Sequence, residues 1–581
     1  MQIKLMTANL DHAQVTPEEF GKSNRQFSIC LIVPWISEHR AVVKNISRGF
    51  EQLSIQYLKA HLDRYGIRSD LINAQLLELT NDQIVECVTR GQYDLIGISC
   101  PAQRLYQAAK DIVKRLAGLP NAPHITMGGW FATVAHEEIM HDCPGLNSVV
   151  RGEGEFAIID LLSHIEGDDF QSILGLTWRA ANGDVITNPV RPRINDLDNL
   201  PFPDRSDLPE IFKIFPKNEY YAHLMASRGC YANCSFCSIN SLFDVKGRTM
   251  RSPENIVTEI EELYTKYGIS NFQFIDEIFL DRSRRSTRWA LEICDEIEKR
   301  RLKISFFIYC RSTDITEDVF RRLKEVGLYM VYVGVESGSQ AGLDRFNKAT
   351  TVEDNSAGIK ILKKLGIRPQ IGFIMIDPAA SFDELKQNYQ WLADNEAYVQ
   401  NNFVNKLNLY FKTPIVEDYS RRGIVPEPTL DERHRYVFLD RRVEGYSIAV
   451  DRISNALFPI EERLFELKRR YRKLAVQGND NSSTERRTML EAISKMSPLM
   501  NEIWREVAGK IIATLDDQSD NGPETVMVER VLEDYRALSD QYTELLDRIV
   551  DGKGETFELD NIQPKLANRR VSHYINDCLP S

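Results

Sequence analysis

Three cysteines, Cys230, Cys234 and Cys237, fall within eight residues in the stretch MASRGCYANCSFCSIN. Thiolates held so close suit a metal centre. A structural zinc site closes with four ligands, typically from two Cys-x-x-Cys-like pairs, whereas this chain offers one compact trio and no second pair. His223 is the candidate fourth ligand if the site were zinc. An iron–sulfur cluster held by three cysteines has one iron without a protein ligand, open to a small molecule. One compact trio without a second pair suits that second chemistry better.

The 581-residue chain is too long for one core and is expected to form roughly three domains. Hydrophobic residues make up 43% and charged residues 27%, and no apolar run approaches the roughly 18 residues a membrane helix requires. The N-terminal MQIKLMTANLDHAQVTPEE has no basic cluster followed by an apolar region, so no secretory signal is expected. A cytoplasmic location without membrane contact follows. There thiols stay reduced, so clustered cysteines read as metal ligands or catalytic groups, and the scattered seven as core residues. The net charge of −12 disfavours a large phosphate-binding surface, and nucleic acid is not an expected partner.

These cysteines need elements to position them. From Gln26 to about Arg151, short apolar runs (FSICLIVP, IRSDLINA, YDLIGIS, HITMGG, LNSVVRG) alternate with helical periods. That rhythm predicts a parallel sheet covered on both faces, with ligands at the C-terminal strand ends. Residues from about 160 to 215 lack it, and DLDNLPFPDRSDLP marks an extended connector. The rhythm returns after a strand at HLMA: strands FQFI, ISFFIY, MVYVGV, IGFIMI and VNKLNLYF, with helices between, give six βα-type strands and a partial barrel. Ser252 is placed to cap a helix that begins at Pro253, buries Ile256, Ile260 and Leu263, and ends at Gly268. Beyond about Pro426, PIEERLFELKRRYRKLAVQ, RTMLEAISKMSPLMNEIWREVAGKIIATL and VMVERVLEDYRALSDQYTELLDRIV predict a helical third domain. The expected divisions are an N-terminal extension 1–25, a Rossmann-like α/β domain 26–190, a linker 191–217, a TIM-type (β/α)6 partial barrel 218–424 and a helical domain 425–581.

The cysteine spacing, placed just after the strand that opens the barrel, resembles the radical S-adenosylmethionine (SAM) superfamily. The resemblance implies that Cys230, Cys234 and Cys237 hold a [4Fe-4S] cluster whose fourth iron chelates SAM, and that an electron from the cluster cleaves SAM to a 5′-deoxyadenosyl radical. It also implies SAM contacts at the strand ends: Asp276 and Glu277 towards the amine, and Glu336 and Ser337 towards the ribose. Arg311 closes a strand at the same rim, where its fixed positive fork suits a carboxylate. IGFIMIDPAA departs from the family pattern, because Asp377-Pro378 stands where Gly-x-Pro is common.

The N-terminal sheet lacks both a Gly-x-Gly-x-x-Gly turn and a Gly-Lys-Ser phosphate loop. It carries instead Ser99 after YDLIGIS, Gly128-Gly129 after HITMGG, and Gly152-Glu153-Gly154-Glu155 after the next strand. These resemble the cobalamin-binding domains joined to radical SAM barrels, where such residues line the slot for the nucleotide tail and glycine lets the tail pass close to backbone. Methionine-synthase-like domains carry Asp-x-His-x-x-Gly after the first strand. Here the loop is PWISEHRAVVKN, whose His39 lacks those neighbours, so cobalamin is expected base-off without a histidine ligand.

The whole resembles the cobalamin-dependent (class B) radical SAM methyltransferases. The implied reaction is C-methylation of an unactivated carbon of a small-molecule natural product, through methylcobalamin and the adenosyl radical. The implied partners are that substrate and an external electron donor such as flavodoxin or ferredoxin. In length and charge the third domain resembles the pyrrole C-methyltransferases of aminocoumarin antibiotic biosynthesis, which would make the substrate a pyrrole or other heteroaromatic; it is expected as an addition to the shared core that closes over the substrate. Two alternatives stay open: a cobalamin-dependent radical SAM cyclase or oxidase, and a non-enzymatic cobalamin or iron–sulfur sensor.

Overall fold

The computed structural model describes residues 26–36 and 49–517, apart from 168, 218–219, 242–246, 427–429, 431–435 and 478–482, and a few positions between 540 and 548. His39, the extension 1–25 and most of the expected helix 526–550 lie outside the described residues.

The N-terminal sheet comprises β1 Ser28–Val33, β2 Arg68–Asn73, β3 Leu95–Ser99, β4 His124–Gly128, β5 Ser148–Val150, β6 Leu176–Arg179 and β7 Val185–Thr187, ordered β2-β1-β3-β4-β5-β6-β7. The first five are parallel. Their near-continuous apolar sequence follows from burial on both faces: Ile96, Ile98, Ile125 and Met127 pack on one side, Leu31, Val33 and Val150 on the other. The order 2-1-3-4-5 is the flavodoxin-like winding, with its ligand crevice at the C-terminal strand ends. Strands β6 and β7 extend the sheet antiparallel, inside the stretch that the sequence left without rhythm. Their turn is Asn182-Gly183, with Gly183 at φ 92°, a hairpin signal the sequence did carry.

The second sheet comprises β8 Tyr221–Leu224, β11 Asn271–Phe274, β12 Ser305–Arg311, β13 Leu328–Glu336 and β14 Arg368–Phe373, all parallel, ordered β14-β13-β12-β11-β8. A two-stranded ribbon, β9 Ser227–Arg228 with β10 Thr249–Met250, brackets the cysteine loop. The sixth expected strand is reduced to one parallel bridge, Ile376 to Lys406, after the short helix Gln400–Val404. Helix Pro253–Glu262 starts as expected: the Ser252 hydroxyl accepts from the Asn255 N–H at 3.2 Å, Ile256, Ile260 and Leu263 are buried, and Gly268 follows at φ 71°.

Two long helices, Arg441–Gln477 and Ser483–Asp517, pack against each other and against the barrel helix Phe382–Asp394. Val443, Tyr446, Val450, Ile453, Leu457, Ile460, Leu464 and Leu467 are buried at alternating spacings of three and four, the stripe of a helix with one covered face. The stripe runs through Pro459, so the first helix begins 18 residues before the proline that opened the expected helical pattern. Tyr446 donates to the Phe403 carbonyl at 3.1 Å and Lys386 pairs with Asp516 at 3.0 Å. The side chains of this region join the barrel's hydrophobic core, so the described helices extend that core along its flank.

Candidate active site

Strand β9 delivers the chain to Gly229, whose φ of 90° and crowded surroundings exclude a side chain: a Cβ would sit 2.5 Å from the Gly247 carbonyl oxygen. The Gly229 N–H donates to Glu277 Oε2 at 3.0 Å. The three cysteines follow on one loop, Cys234 buried and the other two half-buried. The barrel side pins this loop through Ser235, whose N–H donates to the Phe346 carbonyl at 2.8 Å and whose hydroxyl donates to that of Arg345 at 2.9 Å. Donors point at the sulfurs: Arg311 Nη1 lies 3.4 Å from Cys234 Sγ, and the Ala232 N–H 3.4 Å from Cys230 Sγ. Hydrogen bonds to ligand sulfur are among the features that tune an iron–sulfur cluster, so the loop fits one. Burial raises the Cys230 thiol and pushes Cys237 up to about 11, so iron must displace protons there. His223 is engaged elsewhere. Its Nδ1 accepts from the Glu51 N–H at 3.2 Å and its ring stacks on Phe50.

Two rim residues meet this loop directly, Glu277 at Gly229 and Arg311 at Cys234, and several are already occupied. Asp276 Oδ2 accepts from the Ala226 N–H at 3.1 Å and Oδ1 from the Ser227 hydroxyl, and burial still lifts its carboxyl to about 6. Burial also raises Glu277. Arg311 is buried, stacks 5.8 Å over the Tyr231 ring and donates to the Lys348 carbonyl. Glu336, at φ 67°, pairs with Lys348 Nζ at 3.0 Å. Ser337 donates to Asn388 at 2.8 Å and accepts from the Ser339 N–H at 3.0 Å. Asp377, where the sequence departs from the family pattern, takes Tyr419 and Arg345 at 2.6 Å each. Tyr231 donates to Asp314 at 2.8 Å, a pair that no sequence spacing announced.

At the N-terminal sheet, Ser99, Gly128 and Gly152 lie at or just beyond the ends of the adjacent parallel strands β3, β4 and β5. Gly129 has φ 105° and ψ 177°, and a Cβ there would meet the Cys100–Pro101 peptide at 3.0 Å. Thr133 ties two of the ends together, donating to the Gly129 carbonyl at 2.9 Å and accepting from the Gly152 N–H at 3.0 Å. These strand ends touch the cysteine loop at both of its margins. Trp130 Nε1 donates to the Ser238 carbonyl at 3.1 Å, and Glu153 and Glu155 pair with Arg228. Sequence reasoning missed Trp130 and Arg228. Both adjoin quoted motifs, but nothing in one chain's spacing announces a partner more than 70 residues away.

Known proteins carry both halves of this arrangement. Residues 224–392 match the radical SAM superfamily and residues 39–162 the B12 binding domain. An uncharacterized methyltransferase of Pyrococcus horikoshii is 30% identical over 62% of this chain and 76% of its own length. The anaerobic magnesium-protoporphyrin IX monomethyl ester cyclase of Rubrivivax gelatinosus is 29% identical over 58% of this chain and 61% of its own, less than two thirds of that enzyme. The cobalamin-dependent S-adenosylmethionine radical enzyme OxsB, solved with aqua-cobalamin and S-adenosylmethionine bound, superposes with a TM-score of 0.72 at 18% identity, over 95% of this chain and 81% of its own. That likeness of fold reaches into the C-terminal helices.

Fold and site together define a radical SAM enzyme with a B12-binding domain. The chain belongs to the cobalamin-dependent (class B) radical SAM methyltransferase family, and its cofactors are a [4Fe-4S] cluster, SAM and cobalamin.

Proposed function

We propose that this enzyme methylates an unactivated carbon of a small-molecule natural product, with an external one-electron donor such as flavodoxin or ferredoxin. When bound, the cluster supplies the electron that cleaves one SAM, and cobalamin relays the methyl group of another. The observation that carries the proposal is the meeting of the two strand-end sites: Trp130 and the pair Glu153 and Glu155 grip opposite margins of the loop that bears the three cysteines. A reaction that passes a methyl group to a substrate radical needs both cofactors at one carbon, and this contact supports such an alignment.

Within the proposal, Cys230, Cys234 and Cys237 hold the cluster, while Ser99, Gly128, Gly129 and Gly152 line the slot for the cobalamin tail. Glu277, Arg311 and Glu336 bind and orient SAM. Asp276 and Ser337 stand beside them and carry structural bonds as well, Asp276 to the Ala226 N–H and the Ser227 hydroxyl, Ser337 to the Asn388 side chain and the Ser339 N–H. The test is product analysis after anaerobic incubation with cobalamin, SAM, a reductant and candidate metabolites. One S-adenosylhomocysteine and one 5′-deoxyadenosine should form per methylated product. Product formed with 5′-deoxyadenosine but no S-adenosylhomocysteine would favour the cyclase reading, for which the identity to the Rubrivivax enzyme speaks.

A further inference from the structure

We propose that Arg228 is a positioning residue, which fixes the cobalamin slot against the cluster loop so that the two cofactors keep one separation. The inference rests on the slot and cluster assignments made above. Arg228 leaves β9 two residues before Cys230. Its Nη1 donates to Glu153 Oε1 at 2.8 Å and its Nη2 to Glu155 Oε1 at 2.5 Å. The three side chains are only 13%, 7% and 5% exposed, so solvent screens the pairs little. A guanidinium is a rigid planar fork, and two carboxylates on its two arms admit a narrow range of orientations.

The surroundings reinforce this constraint. Glu153 Oε2 accepts from the Ile194 N–H at 2.6 Å, so each oxygen of Glu153 holds a donor from this chain and the carboxylate is fixed from two sides. The Arg228 carbonyl accepts from Arg193 Nη2 at 2.7 Å, and Arg193 Nη1 donates to the Gly247 carbonyl at 2.9 Å, tying β9 to the segment just before β10. The guanidinium lies 5.7 Å from the centre of the Tyr57 ring. At the far margin the Trp130 bond to Ser238 completes the grip, so segment 228–238, with all three cysteines, is held at both ends by residues that follow β4 and β5.

Simple adhesion does not require this arrangement. Buried ion pairs cost desolvation that apolar contacts avoid, and their best-attested use is to specify one geometry. Apolar adhesion between the two parts is supplied elsewhere, where Leu76 joins the barrel's core and the Phe131 ring meets that of Phe411 edge-on, centroids 6.1 Å apart. Neither contact involves Arg228.

The experiment uses the full chain loaded with cluster and cobalamin. With the cluster reduced and cobalt as Co(II), pulsed EPR measures the distribution of distances between the two spins. Wild type should give one narrow distance. Arg228→Gln should bind both cofactors, judged by iron, sulfide and the cobalamin spectrum, yet lose the narrow peak, and its 5′-deoxyadenosine per methylated product should rise severalfold. Arg228→Lys, a point charge without the fork, should recover part of the sharpness. Should unpaired carboxylates unfold Arg228→Gln, the triple variant Arg228→Met, Glu153→Gln, Glu155→Gln removes them and should show the same broadening. A wild-type distance distribution and product ratio in either variant would overturn the proposal. So would loss of both cofactors from the triple variant, which would make Arg228 an element of the fold. Wild type that bound no cluster or no cobalamin would refute the assignments beneath the inference instead.

Discussion

Burial sets the chemistry of individual groups at this site, and the sign of its effect can be tested. Asp276 has its carboxyl raised from 3.8 to about 6, because desolvation outweighs its bonds from Ser227 and Ala226. Folding therefore favours the protonated form; the stability this contributes is present below about pH 4 and lost as pH rises through about 6. A shift of that size is worth on the order of 3 kcal/mol. In cluster-free protein, urea denaturation should show wild type losing stability relative to Asp276→Asn between pH 4 and 7. Parallel pH profiles would contradict the assignment. Replacing Cys230, Cys234 and Cys237 together by Ala should abolish the iron, the sulfide and the cluster EPR signal after anaerobic reconstitution. Wild-type cluster in that variant would refute the ligand set. The cysteine trio was legible because its chemistry is written in local spacing. The engagements of Asp276, Glu153 and Ser337 were not, since each depends on atoms brought in from another element.

At the scale of elements, adjacent glycines at one strand end should behave differently. A Cβ at Gly128 meets only the Val150 carbonyl at 3.7 Å, an ordinary contact, whereas Gly129 holds a backbone conformation reserved to glycine and faces a peptide at 3.0 Å. Gly128→Val should fold and lose the cobalamin spectrum; Gly129→Ala should lose about 1–3 kcal/mol of stability, read by thermal denaturation. Equal stability of the two variants would contradict this division. In the C-terminal pair, Trp504 is fully buried within the barrel's core, so Trp504→Ala should cost about 3–5 kcal/mol and destabilise barrel and helices together. Separate melting of the two parts would contradict the shared core. Most elements could be read from periodicity, including the Ser252 cap and the parallel strands. The exceptions have physical causes. Strand VNKLNLYF pairs at a single bridge, with polar Asn405 and Lys406 within the run. The helix through Pro459 persists because its buried stripe continues on both sides, outweighing the one hydrogen bond a proline removes.

At the scale of the molecule, C-terminal ends of parallel strands from two sheets converge on one loop, and no described helix is long and apolar enough to cross a membrane. That convergence is what the proposed reaction requires, because the methyl group and the radical must reach the same substrate carbon. The most direct measurement supplies SAM with a trideuterated methyl group to the anaerobic, fully loaded enzyme and determines the mass of the product. Methyl transfer predicts a product heavier by the whole trideuterated label, formed alongside S-adenosylhomocysteine and 5′-deoxyadenosine. Product that forms with 5′-deoxyadenosine but carries no label would contradict the account.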